Sequence, residues 1–229
     1  TKIDMRARIL HAYGKSYRDL IRLRCGEIPN PPDAVVYPGT EDQVAHVLSY
    51  CAQNNIALIP FGGGSSVVGG VEARDERVTL SLDLARLNKI VSVDEISQTA
   101  TMEAGILGPA LEHELNARGF TLGHFPQSFE FSSLGGWIAT RGAGLASTKY
   151  VKIEAMTVSV RVATPRGIIE TRTAPATAAG PSLLQLLIGS EGTLGVITQA
   201  TMRVRELPKV KDYRALLFKS FAVGAAAIR

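Results

Sequence analysis

The chain has 229 residues, of which 45% are hydrophobic and 20% are charged, and its formal net charge is +4. This composition is typical of a globular protein that can bury a core, in one domain or in two closely packed halves. No stretch approaches the roughly 20 apolar residues that span a bilayer. The first residues lack the apolar core that a secretory signal requires, so none is expected. The two cysteines have no metal-binding spacing, which argues against a zinc site or a disulfide framework.

The positive charge is concentrated at the beginning of the sequence. Residues 1–24 contain seven basic and two acidic side chains, so the rest of the chain sums to −1. The same stretch has an apolar residue at every fourth position, namely Met5, Ile9, Tyr13, Tyr17 and Ile21. This spacing predicts a basic amphipathic helix, weakened by Gly14, and we expect its apolar stripe to pack on the protein rather than on a membrane or a partner. The body of the chain has no basic face with aromatic residues, so no nucleic-acid partner is expected.

A β-α-β unit is predicted next. Residues 34–38 are expected to form a short strand after a proline-rich lead-in. Thr40 and Gln43 have the spacing of a capping box, and Asn54-Asn55 is expected to end the helix that it starts. Cys51 continues the apolar stripe of that helix, which predicts a buried thiol. Residues 56–61 form an apolar run typical of a buried strand.

The later elements are clustered by type. Val78, Leu80, Leu82 and Leu84 alternate with polar residues, which predicts a half-buried strand. The other predicted elements are a hairpin of residues 90–93 and 98–103, a helix between Pro109 and Gly119, strands at 156–163, 168–172 and 196–205, and a helix at 221–229. Leu111 and Leu115 are expected to face the core. Mixed strands with a few helices, clustered rather than alternating, predict the α+β class.

The buried strand at 56–61 is followed by the sequence Gly62-Gly63-Gly64-Ser65-Ser66, and Gly69-Gly70 follows soon after. We call residues 62–70 the first glycine loop. Consecutive glycines let the backbone approach a ligand, and successive amides can form a concave nest for an anion, to which two hydroxyls would add donors. A phosphate or pyrophosphate is the predicted ligand, and a plain hairpin tip is the alternative. A Walker loop is excluded because Gly70 occupies the lysine position, and no G-x-G-x-x-G occurs.

Three later stretches, at residues 127–137, 140–144 and 189–197, share this content of glycine and hydroxyl residues. Each of them alone could be an ordinary turn. Four such loops, each next to apolar secondary structure, predict a long, flat and polar ligand that lies across several loops.

These stretches, together with Thr164-Pro165-Arg166-Gly167, resemble the FAD-binding domain of the vanillyl-alcohol oxidase/PCMH superfamily. Within it they are most similar to the alkyldihydroxyacetonephosphate synthase branch and its bacterial FAD-linked oxidase relatives. The resemblance implies a PCMH-type FAD-binding domain at 28–208, with FAD between α+β subdomains at about 28–85 and 86–208. A basic helical segment at 1–27 is expected before this domain, and 209–229 is expected to be the start of a truncated or missing substrate domain.

The resemblance implies that the first glycine loop holds the FAD diphosphate, while the other loops enclose the rest of the cofactor. The cofactor-binding residues so assigned are Pro60, Phe61, Gly62, Gly63, Gly64, Ser65, Ser66, Gln127, Ser128, Phe129, Glu130, Phe131, Ser132, Ser133, Thr140, Arg141, Gly142, Ala143, Glu191, Gly192, Thr193, Leu194, Gly195, Val196 and Ile197. Some relatives attach FAD through a histidine near this loop. Residues 62–70 contain no histidine, so we expect non-covalent FAD.

The resemblance further implies an FAD-dependent enzyme that uses flavin N5 on a small oxygenated substrate, as an oxidoreductase or an alkyl-transferase. A 2-hydroxyacid dehydrogenase for D-lactate or glycolate, or a flavin-binding module without activity of its own, are the alternatives. Ala176 occupies the position of an arginine in the synthases, which argues against ether-lipid synthesis because a bidentate anion partner is lost. The catalytic tyrosine and histidine cluster of the family lies beyond Arg229, so no catalytic residue is assigned. We expect a cytoplasmic protein, with a homodimer and peripheral membrane contact as open alternatives.

Five polar or aromatic residues have two interpretations each. Arg141 and Arg166 are candidates for anion contact, although Arg166 lies in a predicted turn where a solvated side chain is equally expected. His124 could approach the flavin, but a structural or solvent-facing role is favoured. Trp137 is expected in the core rather than stacked on the flavin. Glu191 could cap a turn, but a hydrogen bond to a ribitol hydroxyl is favoured.

Overall fold

The computed structural model describes residues 1–73 and 77–229. Its helices are α1 (Met5–Leu10), α2 (Tyr17–Cys25), α3 (Glu41–Gln53), α4 (Gly108–Asn116), α5 (Leu134–Ala139), α6 (Ser147–Tyr150), α7 (Ile153–Met156), α8 (Leu183–Leu187) and α9 (Phe221–Ile228). Its strands are β1 (Ala34–Val36), β2 (Ala57–Phe61), β3 (Thr79–Asp83), β4 (Ile90–Asp94), β5 (Thr99–Glu103), β6 (Phe120–Thr121), β7 (Thr157–Thr164), β8 (Gly167–Glu170), β9 (Val196–Arg203) and β10 (Arg205–Glu206). The α+β class is confirmed.

The first sheet is parallel and has the order β1-β3-β2. The predicted β-α-β unit is confirmed: the Thr40 hydroxyl accepts a hydrogen bond from the Gln43 amide at the start of α3, and Cys51 is buried on the inner face of that helix. The strand predicted around Leu82 is confirmed as β3, but its predicted half-burial is wrong. Its polar residues Ser81 and Asp83 are buried as well, because β3 is the middle strand of a parallel sheet and is covered on both faces.

The second sheet is antiparallel and has the order β4-β5-β9-β7-β8. The predicted hairpin is confirmed, and the Asp94 carboxylate closes it by accepting hydrogen bonds from the amides of Ile96 and Ser97. Helix α4 packs on this sheet through Leu111 and Leu115, which are fully buried as predicted. All described strands of the first sheet precede residue 85 and all those of the second follow it; the domain bounds themselves stay a prediction.

The last strand and helix differ in how they pack. The strand predicted at 196–205 is two strands, because the chain leaves the second sheet after Arg203 and β10 pairs with β6 instead. Helix α9 is confirmed, and none of its residues is buried. No helix in the described residues is long and apolar enough to cross a membrane.

The single amphipathic helix predicted near the N-terminus is wrong. The Ser16 side chain and Asp19 form a capping box that starts α2 anew, so the chain makes two short helices with a turn between them. After this break, the apolar residues that are spaced four apart no longer share one buried face. Tyr13, in the turn, is buried, whereas Met5 is 58% exposed and Tyr17 is 82% exposed.

An ionic network joins the two sheets at the start of α3. The Arg161 guanidinium on β7 donates hydrogen bonds to the Glu41 carboxylate, the shortest at 2.7 Å, and the Thr198 hydroxyl on β9 donates to the same carboxylate. Burial raises the pKa of Glu41, but the hydrogen bonds from Arg161 and Thr198 outweigh it and hold the pKa below its usual value. The network therefore favours the folded state when Glu41 is ionised.

We predict that Glu41→Gln lowers the free energy of unfolding at pH 7 by about 1–2 kcal/mol, between the values for exposed and buried pairs. The pKa of Glu41 is lower in the folded state than in the unfolded state. The stability that its ionised carboxylate contributes is therefore complete above the unfolded pKa of about 4.3 and is lost as the pH falls through the folded pKa. Thermal unfolding of both proteins from pH 7 to pH 3 measures the difference. Asp42→Asn, on the exposed side of the same helical turn, is the control. A difference between wild type and Glu41→Gln that does not shrink at low pH would contradict this account.

Candidate cofactor-binding site

A cavity of about 410 Å³ lies between the two sheets, and all four predicted loops contribute to its wall. Of the residues assigned from the sequence, those that line it are Pro60, Phe61, Gly62, Gly63, Gly64, Ser65, Ser66, Ser128, Ser132, Ser133, Thr140, Gly142, Glu191, Gly192, Gly195, Val196 and Ile197. Segments more than 120 residues apart in the chain thus meet at one place. This is the arrangement that a long ligand lying across several loops requires.

Other lining residues had not been assigned from the sequence. They are Val67, Val68, Gly70, Val71, Leu84, Pro126, Gly135, Gly136, Trp137 and Ala139. Val67, Val68, Trp137 and the three glycines lie within the predicted loops and could have been included on that ground. The other apolar residues carry no motif, and only the fold reveals that Leu84 and Ala139 face the same space.

The first glycine loop and the second loop touch through their backbones. A Cβ atom at Gly62 would lie 2.3 Å from Ser133 Oγ, and one at Gly63 would lie 1.6 Å from the carbonyl oxygen of Phe131. At Gly63 the neighbour is a backbone oxygen, so no side chain fits unless the two segments move apart, whereas at Gly62 the neighbour is the end of a serine side chain. Glycine is therefore required at position 63 by close approach of another chain segment, in addition to any approach of a ligand.

The first glycine loop presents unused hydrogen-bond donors. In the described part of the chain, the backbone amides of residues 62–66 donate to no protein acceptor, and neither do the hydroxyls of Ser65 and Ser66. Buried or half-buried amides normally have a partner. Glu191 is the one charged residue among the described residues of the lining, so an anion here would be held by amides and hydroxyls without lysine or arginine.

The hydroxyls of the second loop are used within the protein. Trp137 Nε1 donates to Ser132 Oγ at 2.6 Å, and the Ser133 side chain accepts from the Gly136 amide at the start of α5. Trp137 belongs to the core of the second sheet, as predicted, and one part of it also faces the cavity. These bonds fix the shape of the wall.

Eight assigned residues do not line the cavity. They are Gln127, Phe129, Glu130, Phe131, Arg141, Ala143, Thr193 and Leu194. Phe129 stacks on Trp137 with ring centroids 6.3 Å apart, and the side chain of Phe131 is 69% exposed. Arg141 Nε and Nη2 donate to the carbonyls of Ile188 and Gln185 at the end of α8. Its guanidinium thus satisfies helix-terminal carbonyls that would otherwise lack partners.

His124 lies behind the cavity wall and not in solvent. It is 1% exposed, and its ring lies edge-on to the Trp137 ring with the two centroids 5.0 Å apart. Neither nitrogen of the imidazole has a hydrogen-bond partner among the described residues. Burial lowers the pKa of His124 to about 4, against a smaller opposite effect of Glu154, so the imidazole is neutral at pH 7. The solvent-facing role considered from the sequence is wrong, and the structural one agrees with its burial. Arg166, in contrast, is exposed in the turn between β7 and β8.

A family model described as "FAD binding domain" matches residues 32–172 of the chain. The chain belongs to this family. An alkyldihydroxyacetonephosphate synthase from Dictyostelium discoideum is 45% identical over 229 residues, which are 100% of this chain and 38% of the relative. A mitochondrial D-lactate dehydrogenase [cytochrome] from Arabidopsis thaliana is 34% identical over 79% of this chain and 31% of the relative. A solved structure of an alkyldihydroxyacetonephosphate synthase has a TM-score of 0.94 at 45% identity, covering 99% of this chain and 42% of that chain.

FAD is the cofactor of this FAD-binding domain, and the resemblance deduced from the glycine loops is confirmed. The cavity suits FAD chemically. The free amides of residues 62–66 can face a diphosphate, Glu191 can accept hydrogen bonds from hydroxyls, and Leu84, Val196 and Ile197 give an apolar surface for a flat ring system. The chain spans about 38% of the length of the synthase from Dictyostelium discoideum.

We predict that Gly63→Ala destabilises this FAD-binding domain by about 1–3 kcal/mol, since the added methyl overlaps the Phe131 carbonyl and must push the two loops apart. Thermal unfolding of the apoprotein measures the effect without involving the cofactor. Gly70→Ala is the matched control in the same loop, because its nearest atom, Glu191 Oε2, lies at 3.4 Å. Equal melting temperatures for Gly63→Ala and Gly70→Ala would show that the two loops do not pack as described.

Proposed function

We propose that this chain is the FAD-binding part of a flavoenzyme similar to the alkyldihydroxyacetonephosphate synthases and FAD-linked oxidases, acting on a small oxygenated substrate at flavin N5. The observation that carries the proposal is the meeting of four glycine-rich loops at one cavity whose first loop has unused amides. The similarity to the synthases over the whole chain supports it. Our proposal keeps the division into residues 1–27, 28–208 with subdomains at 28–85 and 86–208, and 209–229.

In this proposal the residues of the chain bind and orient the cofactor. The amides of residues 62–66 hold the diphosphate, Glu191 accepts from a hydroxyl of the ribityl or ribose group, and the second and third loops enclose the remainder. When bound, FAD supplies the redox or group-transfer chemistry at N5. The first glycine loop has no histidine, so binding is non-covalent. A small-molecule substrate completes the proposal. A homodimer, and peripheral membrane contact through exposed Tyr17 and Ile21, stay open alternatives.

A charge test at the first glycine loop examines the diphosphate assignment. We expect Ser65→Asp to weaken FAD binding by at least about tenfold, because it places a carboxylate beside two phosphate charges in a half-buried wall. Ser65→Asn introduces a neutral side chain of the same size as aspartate. Its dissociation constant for FAD is expected to stay within about threefold of the wild-type value. Titration of the apoprotein with FAD, followed by flavin fluorescence, gives both dissociation constants.

The diphosphate assignment would be contradicted if Ser65→Asp and Ser65→Asn bound FAD equally well. Flavin that remained attached to the acid-precipitated protein would contradict the non-covalent part of the proposal. A wild-type protein that took up no FAD at all would remove the basis of the whole proposal.

A 2-hydroxyacid dehydrogenase is the second candidate function. Ala176 lies where the synthase segment has an arginine, and the side chain is exposed on the loop that follows β8. The similarity to a D-lactate dehydrogenase also supports this candidate.

The two activities differ in whether the cofactor is left reduced. The experiment uses the FAD-loaded protein together with any residues that flank this chain. If the activity is synthase-like, we expect the flavin colour to persist when D-lactate or glycolate is added in the absence of oxygen. The absorbance near the flavin maximum is the measurement, and a protein without hydroxyacid is the control. Rapid bleaching by either hydroxyacid would favour the dehydrogenase and overturn the synthase-like activity.

A further inference from the structure

We propose that residues 11–22, here called the N-terminal clamp, support the cofactor site from outside the cavity and hold the first glycine loop in the shape that binds FAD. These residues precede the region matched by the family model, which begins at residue 32. They touch the glycine loop and its flanks at its start, its middle and its end. The inference rests on the proposed assignment of that loop to the FAD diphosphate.

The first contact is at the start of the loop. His11 Nε2 lies 2.9 Å from Asp83 Oδ2, and His11 Nδ1 lies 2.7 Å from the carbonyl oxygen of Ala7. The imidazole therefore bridges α1 and the end of β3. The imidazole also packs on Phe61 with ring centroids 4.3 Å apart. Phe61 in turn supports Gly64, where a Cβ atom would lie 2.4 Å from Phe61 Cζ.

The second contact is at the middle of the loop. The Lys15 amide donates to the carbonyl oxygen of Ser66 at 2.7 Å. Gly14 passes so close that a Cβ atom on it would lie 2.0 Å from the same oxygen. Because the clamp holds the Ser66 carbonyl, the peptide plane between Ser66 and Val67 is fixed at this point of the loop. The amides of residues 62–66, which precede this fixed peptide, donate to no acceptor among the described residues, and all five residues line the cavity.

The third contact is just beyond the end of the loop. Arg22 Nη2 pairs with Glu72 Oε1 at 2.8 Å, and the two side chains are only 18% and 6% exposed. The guanidinium lies 4.1 Å from the centroid of the Tyr13 ring, which is buried, and the Tyr13 hydroxyl donates to the Glu27 carbonyl. A pair this well shielded from solvent fixes its partners more firmly than an exposed one does.

Taken together, the three contacts restrain a loop that has little restraint of its own. Glycine has more backbone freedom than any other residue type. Ordering several consecutive glycines when a ligand binds therefore costs conformational free energy. A loop that is already held in place pays less of that cost on binding, so the clamp is expected to raise the affinity for FAD. Gly14, Arg22 and His11 are positioning residues, since none of them lines the cavity.

The test compares FAD dissociation constants of matched glycine variants. For Gly14→Ala we expect a rise of at least about tenfold, because the methyl must displace the Ser66 carbonyl and with it the amides of the loop. Gly39→Ala is the control: its Cβ meets only Gln43 Oε1 at 3.7 Å, and its affinity should stay within about twofold of wild type. The melting temperature of each apoprotein shows whether it is folded.

Arg22→Gln and Arg22→Lys provide a second pair that does not add volume. We expect Arg22→Gln to weaken FAD binding by at least about threefold and Arg22→Lys to recover part of that loss by keeping the charge beside Glu72. Hydrogen exchange at the amides of residues 62–66 in the apoprotein should speed up in Arg22→Gln while exchange in β7 and β9 stays unchanged. A structural role elsewhere in the fold would not produce that local change.

The outcomes separate the clamp from the cofactor assignment. If the wild-type protein binds FAD and the folded variants Gly14→Ala and Arg22→Gln bind it equally well, the clamp is refuted while the cofactor site stands. If Gly14→Ala does not fold, the Arg22 pair decides alone. If wild type itself binds no FAD, the assignment of the glycine loop to the diphosphate fails first.

Discussion

The direct backbone contact between Gly63 and the Phe131 carbonyl is the constraint on which the cavity depends. It brings a loop that follows the parallel sheet against a loop packed on the antiparallel sheet, with no room for even a methyl group between them. The Glu41 carboxylate and its partners Arg161 and Thr198 join the same two sheets at the start of α3. The cavity lies between the same two sheets, so both connections restrain its width.

The arginines nearest to this region serve the fold. Arg141 satisfies carbonyls at the end of α8, Arg161 joins the sheets, and Arg22 pairs with Glu72. None of these three arginines is among the described residues that line the cavity. A diphosphate bound there would be neutralised by partial charges on the backbone, whose positions are fixed by the fold, and the chain can do this without a lysine-bearing nucleotide loop. Specificity for a dinucleotide then comes from the spacing of the loops, because each amide contributes little alone.

Local patterns in the sequence were sufficient for much of the fold. The capping residues of α3, the hairpin closed by Asp94 and the inward face of α4 all depend on neighbours within a few positions, and all were predicted. The burial of Ser81 and Asp83 depends on which strands flank β3, and the engagement of Arg141 depends on where α8 ends. Those are contacts between distant segments, which periodicity and spacing do not encode. The glycine loops were found because their composition itself is unusual.

The N-terminal segment shows how an incorrect prediction of local structure can conceal a long-range role. Its apolar spacing favours one continuous helix, which would have carried Gly14 along a helical face as a weak position. Instead the chain turns at residues 11–16, and the turn places Gly14 against the Ser66 carbonyl and His11 against Asp83. In a continuous helix the Lys15 amide would donate to the carbonyl four residues earlier, so it could not donate to the Ser66 carbonyl. The break in the helix is thus what allows the segment to hold the glycine loop by its backbone.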